Sequence, residues 1–303
     1  MKIKIFLLIL ILPAFSIFAQ EIKVDDSKEK KSEKKLELIL RRQFSMIDPL
    51  ESNYFQERYP AYYGNVNNKT SATNFGFKYQ IEKINSYFDF SMYELRKANL
   101  SKSIIYCGYT TPCSENSYNI GSYYRFESDF NIIKNLLSDK VGFGGGIRYV
   151  NSSLSLGFPN DYYLYVRSTS MGPQLSLRYK TPDWLGFSFG GKIDYFYLFG
   201  SFLVENTYTT DKSVLGFNRI YNQRPSTYIG KEYSIFFNYK ATEDVSFTLG
   251  YSTIVATVTP TTKDVQSLDP NYDLRQNLRN NTEYGRHYQD RIFSTYLQVS
   301  IKI

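Results

Sequence analysis

The stretch FSTYLQVSIKI, Phe293 to Ile303, ends the chain and alternates to its last residue. Phe293, Leu297, Val299, Ile301 and Ile303 fall on one parity, and Ser294, Gln298, Ser300 and Lys302 on the other. Successive side chains of a β-strand point to opposite faces, so this pattern predicts a strand with one apolar face. In a soluble sandwich that face would meet a core; in a closed membrane barrel it would meet lipid, with the polar face turned to the lumen.

The same alternation recurs upstream. Phe75, Phe77, Tyr79 and Ile81 oppose Asn74, Gly76, Lys78 and Gln80; Val141, Phe143, Ile147 and Tyr149 oppose Gly142, Gly144, Gly146 and Arg148. Phe187, Phe189, Ile193 and Tyr195 oppose Ser188, Lys192 and Asp194, and Val245, Phe247, Leu249 and Tyr251 oppose Ser246, Thr248 and Gly250. By parity the connections fall at 82–84, 97–117, 130–140, 152–167, 181–184, 201–226, 241–244 and 258–288, shorter and longer in turn. Barrels that cross outer membranes have short periplasmic turns and long external loops. Tyr79, Tyr179 and Tyr239 are outward by parity near the short turns, and Trp184 lies in one of them, which predicts an aromatic girdle at one membrane interface. Nine strands are clear, and closure asks for an even number. LELILRRQF, Leu36 to Phe44, supplies the tenth, although Arg42 breaks its apolar parity and the segment also reads as a helix. A strand is preferred because closure leaves no unpaired edge. NYFQERYPAYY, Asn53 to Tyr63, then falls in the first external loop. The expected fold is all-β, a closed antiparallel transmembrane barrel of ten strands, with eight or twelve as alternatives.

Composition agrees with a surface at an apolar–polar boundary. Aromatic residues make up 17% of 303, with 29 Tyr and 23 Phe, and amphipathic rings favour such boundaries. Residues 1–19 carry Lys2 and Lys4, then the apolar run Ile5 to Ala19, and read as a secretory signal. Residues 20–35 are a charged periplasmic linker too polar to pack a core, and 36–303 form the barrel. The net charge of +7 is spread along the chain, and with export it excludes a nucleic-acid partner. CGYTTPC holds both cysteines, Cys107 and Cys113, and in an oxidising compartment the pair is expected to close a disulfide on an exposed loop.

On these features the chain resembles a Gram-negative outer-membrane β-barrel protein, porin-like or surface-displayed, over nearly its whole mature length. The resemblance implies outer-membrane lipid and the barrel-assembly machinery as partners, the latter reading Phe293, Leu297, Val299, Ile301 and Ile303 of the last strand. Such strands usually end in Phe and often carry Gly where Gln298 stands; here Ile303 is terminal. Some barrels of this size are enzymes that pair a His with a carboxylate or Ser. His287, in RHYQD, is the single histidine and reads as a solvated loop residue; no catalytic residue, metal ligand or cofactor is expected.

By parity the lumen holds Arg125, Glu127, Arg148, Arg178, Lys192, Asp194 and Glu232, with Gly142, Gly144 and Gly146 making room for them. Two outcomes follow from that set. The charges either pack into a network that fills the barrel, leaving the loops to bind an extracellular ligand, or line a narrow channel that weakly favours anions. A rim-active hydrolase is the third reading.

Overall fold

Leu36–Asp48 is a strand (β1), because both of its neighbours supply partners along its length. The computed structural model describes residues 35–58, 62–63, 68–101, 104–106, 114–116, 120–137, 140–158, 162–209, 217–261 and 286–303. Residues 1–19, expected to be a signal, residues 20–34 of the expected linker, Cys107 and Cys113 lie outside these. After β1 come a helix, α1 (Leu50–Arg58), and nine more wall strands: β2 (Lys69–Ile81), β3 (Ser86–Ser101), β4 (Ile120–Leu136), β5 (Val141–Phe158), β6 (Tyr162–Lys180), β7 (Phe187–Thr209), β8 (Phe217–Lys240), β9 (Val245–Pro260) and β10 (Tyr288–Lys302). Each pairs antiparallel with its sequence neighbours, and β1 closes on β10 through pairs such as Leu38–Ile301 and Phe44–Thr295. The result is a closed ten-stranded barrel with no free edge. Outside the wall, Tyr62–Tyr63, Ile104–Tyr106 and Ser114–Asn116 form a small three-stranded sheet.

The short connections gather at one end with the start of β1 and the end of β10. One is a two-residue hairpin in which Trp184 and Phe187 bond to each other through both backbone pairs. Leu185 (φ 50°) and Gly186 (φ 82°) both lie at positive φ, which matches a hairpin turn following the strand twist. The girdle residues sit here: Tyr79, Tyr179, Tyr239 and Trp184 are all exposed, and Phe187 stacks on Tyr239 with centroids 4.7 Å apart.

Above that end, one parity of the wall is an exposed apolar band, with Leu40, Phe75, Phe143, Leu175, Phe189, Ile235, Leu249 and Leu297 facing outward. Higher up, the pattern inverts. In β5 the outward apolar residues Phe143 and Ile147 give way to inward Val150, Leu154 and Leu156; in β7, outward Phe189, Ile193 and Tyr195 give way to inward Phe196, Leu198, Phe202 and Val204. β9 repeats the switch, from Phe247, Leu249 and Tyr251 outward to Ile254, Ala256 and Val258 inward. The upper barrel is thus built like a soluble protein, apolar inside and more polar outside, while the lower barrel is the reverse.

This inversion corrects the connection lengths expected from parity. The strands continue through the switch, so β7 and β8 reach 23 and 24 residues. At the long-loop end 152–167 and 201–226 shrink to connections at 159–161 and 210–216; at the short-turn end, away from the switch, β4 runs on to Leu136 and 130–140 shrinks to 137–140. The β5–β6 link at the long-loop end is therefore short, and the long connections there are 49–68, 102–119 and 261–287.

Asn53 to Tyr63, expected in the first external loop, lies in the first long connection, 49–68. Its first residues belong to α1, which folds into the barrel mouth and packs on β10, β5 and β6. Pro49 precedes the helix, and its carbonyl accepts from the Ser52 and Asn53 amides; a proline is well tolerated at a helix start. Leu50, Glu51 and Tyr54 are buried, and Asn53 Nδ2 donates to the Gln289 carbonyl at 2.8 Å.

Candidate functional site

Inside the wall the barrel is layered. Inward positions of β3, β4, β5, β6, β7, β8 and β10 form a continuous charged layer. Arg125 donates to Asp290 Oδ2 at 2.6 Å and to Glu127 Oε2 at 2.8 Å. Arg148 pairs with Glu127 and, at 2.8 Å, with Glu232. Lys192 reaches Asp194 at 2.8 Å and Glu232 at 3.3 Å, and Arg178 pairs with Asp194 and, at 3.5 Å, with Asp89. Hydroxyls and amides complete it: the Tyr93 OH donates to Glu127 at 2.7 Å, and Gln174 Nε2 donates to Asn131 Oδ1 at 2.7 Å.

All seven charged positions expected in the lumen are therefore placed in the interior, and they are joined to one another. Parity alone gave that set a basic excess, because Asp290 and Asp89 were not in it. With them, four cations (Arg125, Arg148, Arg178, Lys192) meet five carboxylates (Asp89, Glu127, Asp194, Glu232, Asp290) in one chain of ion pairs. The basic excess that would favour an anion is gone. Arg125, Glu127, Arg148, Asp194 and Asp290 are at most 1% exposed, so these charges satisfy each other and not solvent.

Above this layer lies an apolar one. Phe196 stacks on Tyr228 with centroids 5.6 Å apart, and Phe202 stacks on Tyr288 at 5.5 Å. Tyr54 of α1 meets both Phe202 and Tyr288 edge-on, at 5.5 and 5.4 Å. The two layers interlock. The Arg148 guanidinium lies 4.5 Å from the Phe196 ring centroid, and the Tyr228 OH donates to Asp290 at 2.5 Å. Glu51 of α1 accepts from the Ser152 hydroxyl. Burial pushes its carboxyl up to about 8, the Asp290 carboxylate adds to the shift, and the Ser152 bond opposes it.

Below the charged layer, a polar cavity of about 780 Å³ reaches the short turns, with Lys78, Lys192 and Glu232 among its lining residues. The glycines act differently from expectation. Gly142 does make room beside Arg178, but a Cβ on Gly144 or Gly146 would strike the β4 backbone at Ile132 or Phe130. Elsewhere the space is taken by rings: a Cβ on Gly250 would run into Tyr296, and one on Gly230 into Phe196.

His287 and Asp290 do not meet. The His287 Nδ1 lies 2.8 Å from Thr259 Oγ1 on the exposed rim, while Asp290 points into the buried layer; Glu283 lies outside the described residues. Sequence reasoning missed Asp290, Asp89, Tyr228 and Tyr93 as network members, although their inward parity was a usable signal. Glu51 had none, because its role depends on a helix folding back into the mouth. Of the last strand, Leu297, Ile301 and Ile303 are exposed and Phe293 and Val299 half-buried, on the outward face.

The model of a family described as predicted outer membrane protein, Leptospiraceae, matches residues 32–301. The chain belongs to this family. None of the curated proteins matches it. Among solved structures it is similar to the outer membrane protease OmpT from Escherichia coli, at 12% identity and TM-score 0.46, covering 91% of this chain and 100% of that one. It is also similar to neisserial surface protein A, at 9% identity and TM-score 0.31, covering 88% and 97%. The toluene transporter TodX of Pseudomonas putida follows at 11% identity and TM-score 0.36, covering 89% and 90%.

Proposed function

We propose that this outer-membrane barrel is a non-conducting, non-enzymatic scaffold that holds its long connections at the cell surface for binding an extracellular ligand. The observation that carries the reading is the double seal: a continuous ion-paired layer beneath a stacked aromatic layer capped by α1. A pore needs a continuous wet path, and a layer in which Arg125, Glu127, Arg148 and Asp290 are fully buried as ion pairs supplies none. With the lumen closed, the connections 49–68, 102–119 and 261–287 are left to do the work, as loops on rigid frames commonly do. In this reading residues 1–19 export the chain, the assembly machinery reads β10, and Cys107–Cys113 closes a hairpin.

Conductance across a planar bilayer tests it, with insertion verified by the heat-shifted gel band. The expected trace is flat. Discrete, reproducible steps would overturn the scaffold reading in favour of the narrow channel. The binding half is tested by displaying the barrel on Escherichia coli and measuring adherence to matrix-coated surfaces, with 261–287 replaced by a short Gly-Ser linker. Equal adherence by cells with and without the barrel would overturn it.

A further inference from the structure

Arg42 is the residue that breaks the apolar parity of β1, and its outward placement calls for a partner. It is exposed, between Leu40 and Phe44 on the lipid-facing side of the wall, with Leu297 of β10 directly opposite. Its guanidinium donates to Thr73 Oγ1 at 3.0 Å and to Ser71 Oγ at 2.7 Å, both on β2. Among the described residues no carboxylate pairs with it. A charge facing hydrocarbon at the bilayer midplane of a barrel costs about 2–4 kcal/mol, and little near an interface. The height of the guanidinium therefore matters.

Ser71 lies eight residues above girdle residue Tyr79 on the same strand. At about 3.3 Å per residue and a tilt of about 40°, that is a rise of roughly 20 Å in an apolar band about 25 Å tall. Arg42 thus reaches up the wall, as long cationic side chains do, and ends near the outer-leaflet headgroups. Further cations meet it there. Lys69 is exposed and pairs in register with Met46, two residues above Phe44 on β1. Arg96 on β3 has its carbonyl bonded to Thr70 Oγ1 at 3.0 Å, which fixes it beside this part of β2, and its exposed side chain pairs with Glu94. Three cations and one carboxylate stand on adjacent strands, above exposed Leu40 and Phe75 and level with exposed Phe44 and Leu297.

We propose that this patch seats the phosphate-bearing headgroup of an anionic lipid of the outer leaflet. The remaining guanidinium donors of Arg42 would take one or two phosphate oxygens, since planar Arg donors suit phosphate. Lys69 and Arg96 add charge, and the apolar residues below take the acyl chains. The match is one of charge and height together: an excess of positive charge at headgroup level directly above an acyl-sized apolar surface.

Native mass spectrometry of the refolded protein in detergent doped equally with dioleoyl phosphatidic acid and dioleoyl phosphatidylcholine tests this. The wild type is expected to retain one phosphatidic acid with a preference of about tenfold. Arg42→Gln with Lys69→Gln, verified as folded by its heat-shifted band, is expected to lose most of that preference. Equal retention of the two lipids by the wild type would overturn the proposal, and this arm does not depend on the variant folding. An undiminished preference in the folded double variant would also overturn it. So would an Arg42-dependent dimer peak, which would assign the patch to a second copy of the chain.

Discussion

Arg125 is where single-residue energetics are sharpest. Its guanidinium is the only cation paired with Asp290 among the described residues, and both are fully buried. Removing one partner of such a pair costs about 3–5 kcal/mol, because the other charge stays buried and unpaired. Arg125→Ala is therefore expected to lower the unfolding free energy, read from the heat-shifted band across a denaturant series, by that much. Pairing it with Asp290→Asn should recover a large part, as expected for residues that share one interaction. A loss under 1 kcal/mol for Arg125→Ala would mean that water reaches the layer. Glu51 makes the complementary case, a carboxyl held neutral. Its ordinary value of 4.5 rises to about 8 through burial and the Asp290 carboxylate, against the Ser152 bond and the Arg125 charge. The docked helix holds a proton that the free carboxyl would release, so docking is most stable below pH 4.5. It weakens as pH rises to about 8 and levels above, by roughly 1.4 kcal/mol per pH unit across that window. Hydrogen exchange of the α1 amides, corrected for intrinsic rates, should show protection falling from pH 6 to pH 8, and Glu51→Gln should flatten it. A pH-independent wild type would mean that Glu51 is already ionised in place.

At the scale of the element, the strands were legible in the sequence to the extent that their apolar parity stays constant. Each wall residue between the girdle and the switch has one neighbour environment outside and another inside, and Phe187, Phe189, Ile193 and Tyr195 report it directly. Beyond the switch the outside is no longer apolar and the inside no longer charged. Leu154 and Leu156 then carry the opposite parity from Phe143 and Ile147, and a reading that asks for one apolar face ends the strand there. The helix α1 was illegible for another reason. Nine residues, LESNYFQER, are too few to form a helix without tertiary support, and that support comes from rings at positions 202 and 288. The cysteines permit an element-scale test. Tyr106 pairs with Ser114, and these residues directly flank Cys107 and Cys113 in sequence. A disulfide between the cysteines would close a seven-residue loop and hold that hairpin by about 2 kcal/mol. Intact mass under non-reducing conditions should fall by about 2 Da relative to the reduced chain. Reduction should leave the barrel's denaturant midpoint unchanged, since β1 to β10 close without the hairpin; an undiminished mass would remove the pairing.

For the whole molecule, the order of the layers decides what each one does. If α1 were a plug in an otherwise open tube, deleting it would open the tube. Phe196, Tyr228, Leu198 and Ile254 are buried and grow from the wall itself, and Gly230 lets Phe196 lie flat against β8. Beneath them the charged layer runs from β10 through β4, β5 and β8 to β7 and β6 with no member contributed by α1. Replacing 50–58 by a Gly-Ser linker is therefore expected to leave the bilayer trace flat, while loosening Phe202 and Tyr288, whose rings lose Tyr54. Adding Arg148→Ala and Phe196→Ala to that deletion takes away the guanidinium that pairs with Glu127 and Glu232 together with the ring it lies over. The polar cavity at the short turns, whose lining includes Arg148, would then gain a route upward, and steps in conductance are expected only in this combined variant. Steps after the helix deletion alone would make α1 the seal and the layers below it a wet path. The two results separate a barrel whose wall fills its own bore from one that is merely stoppered.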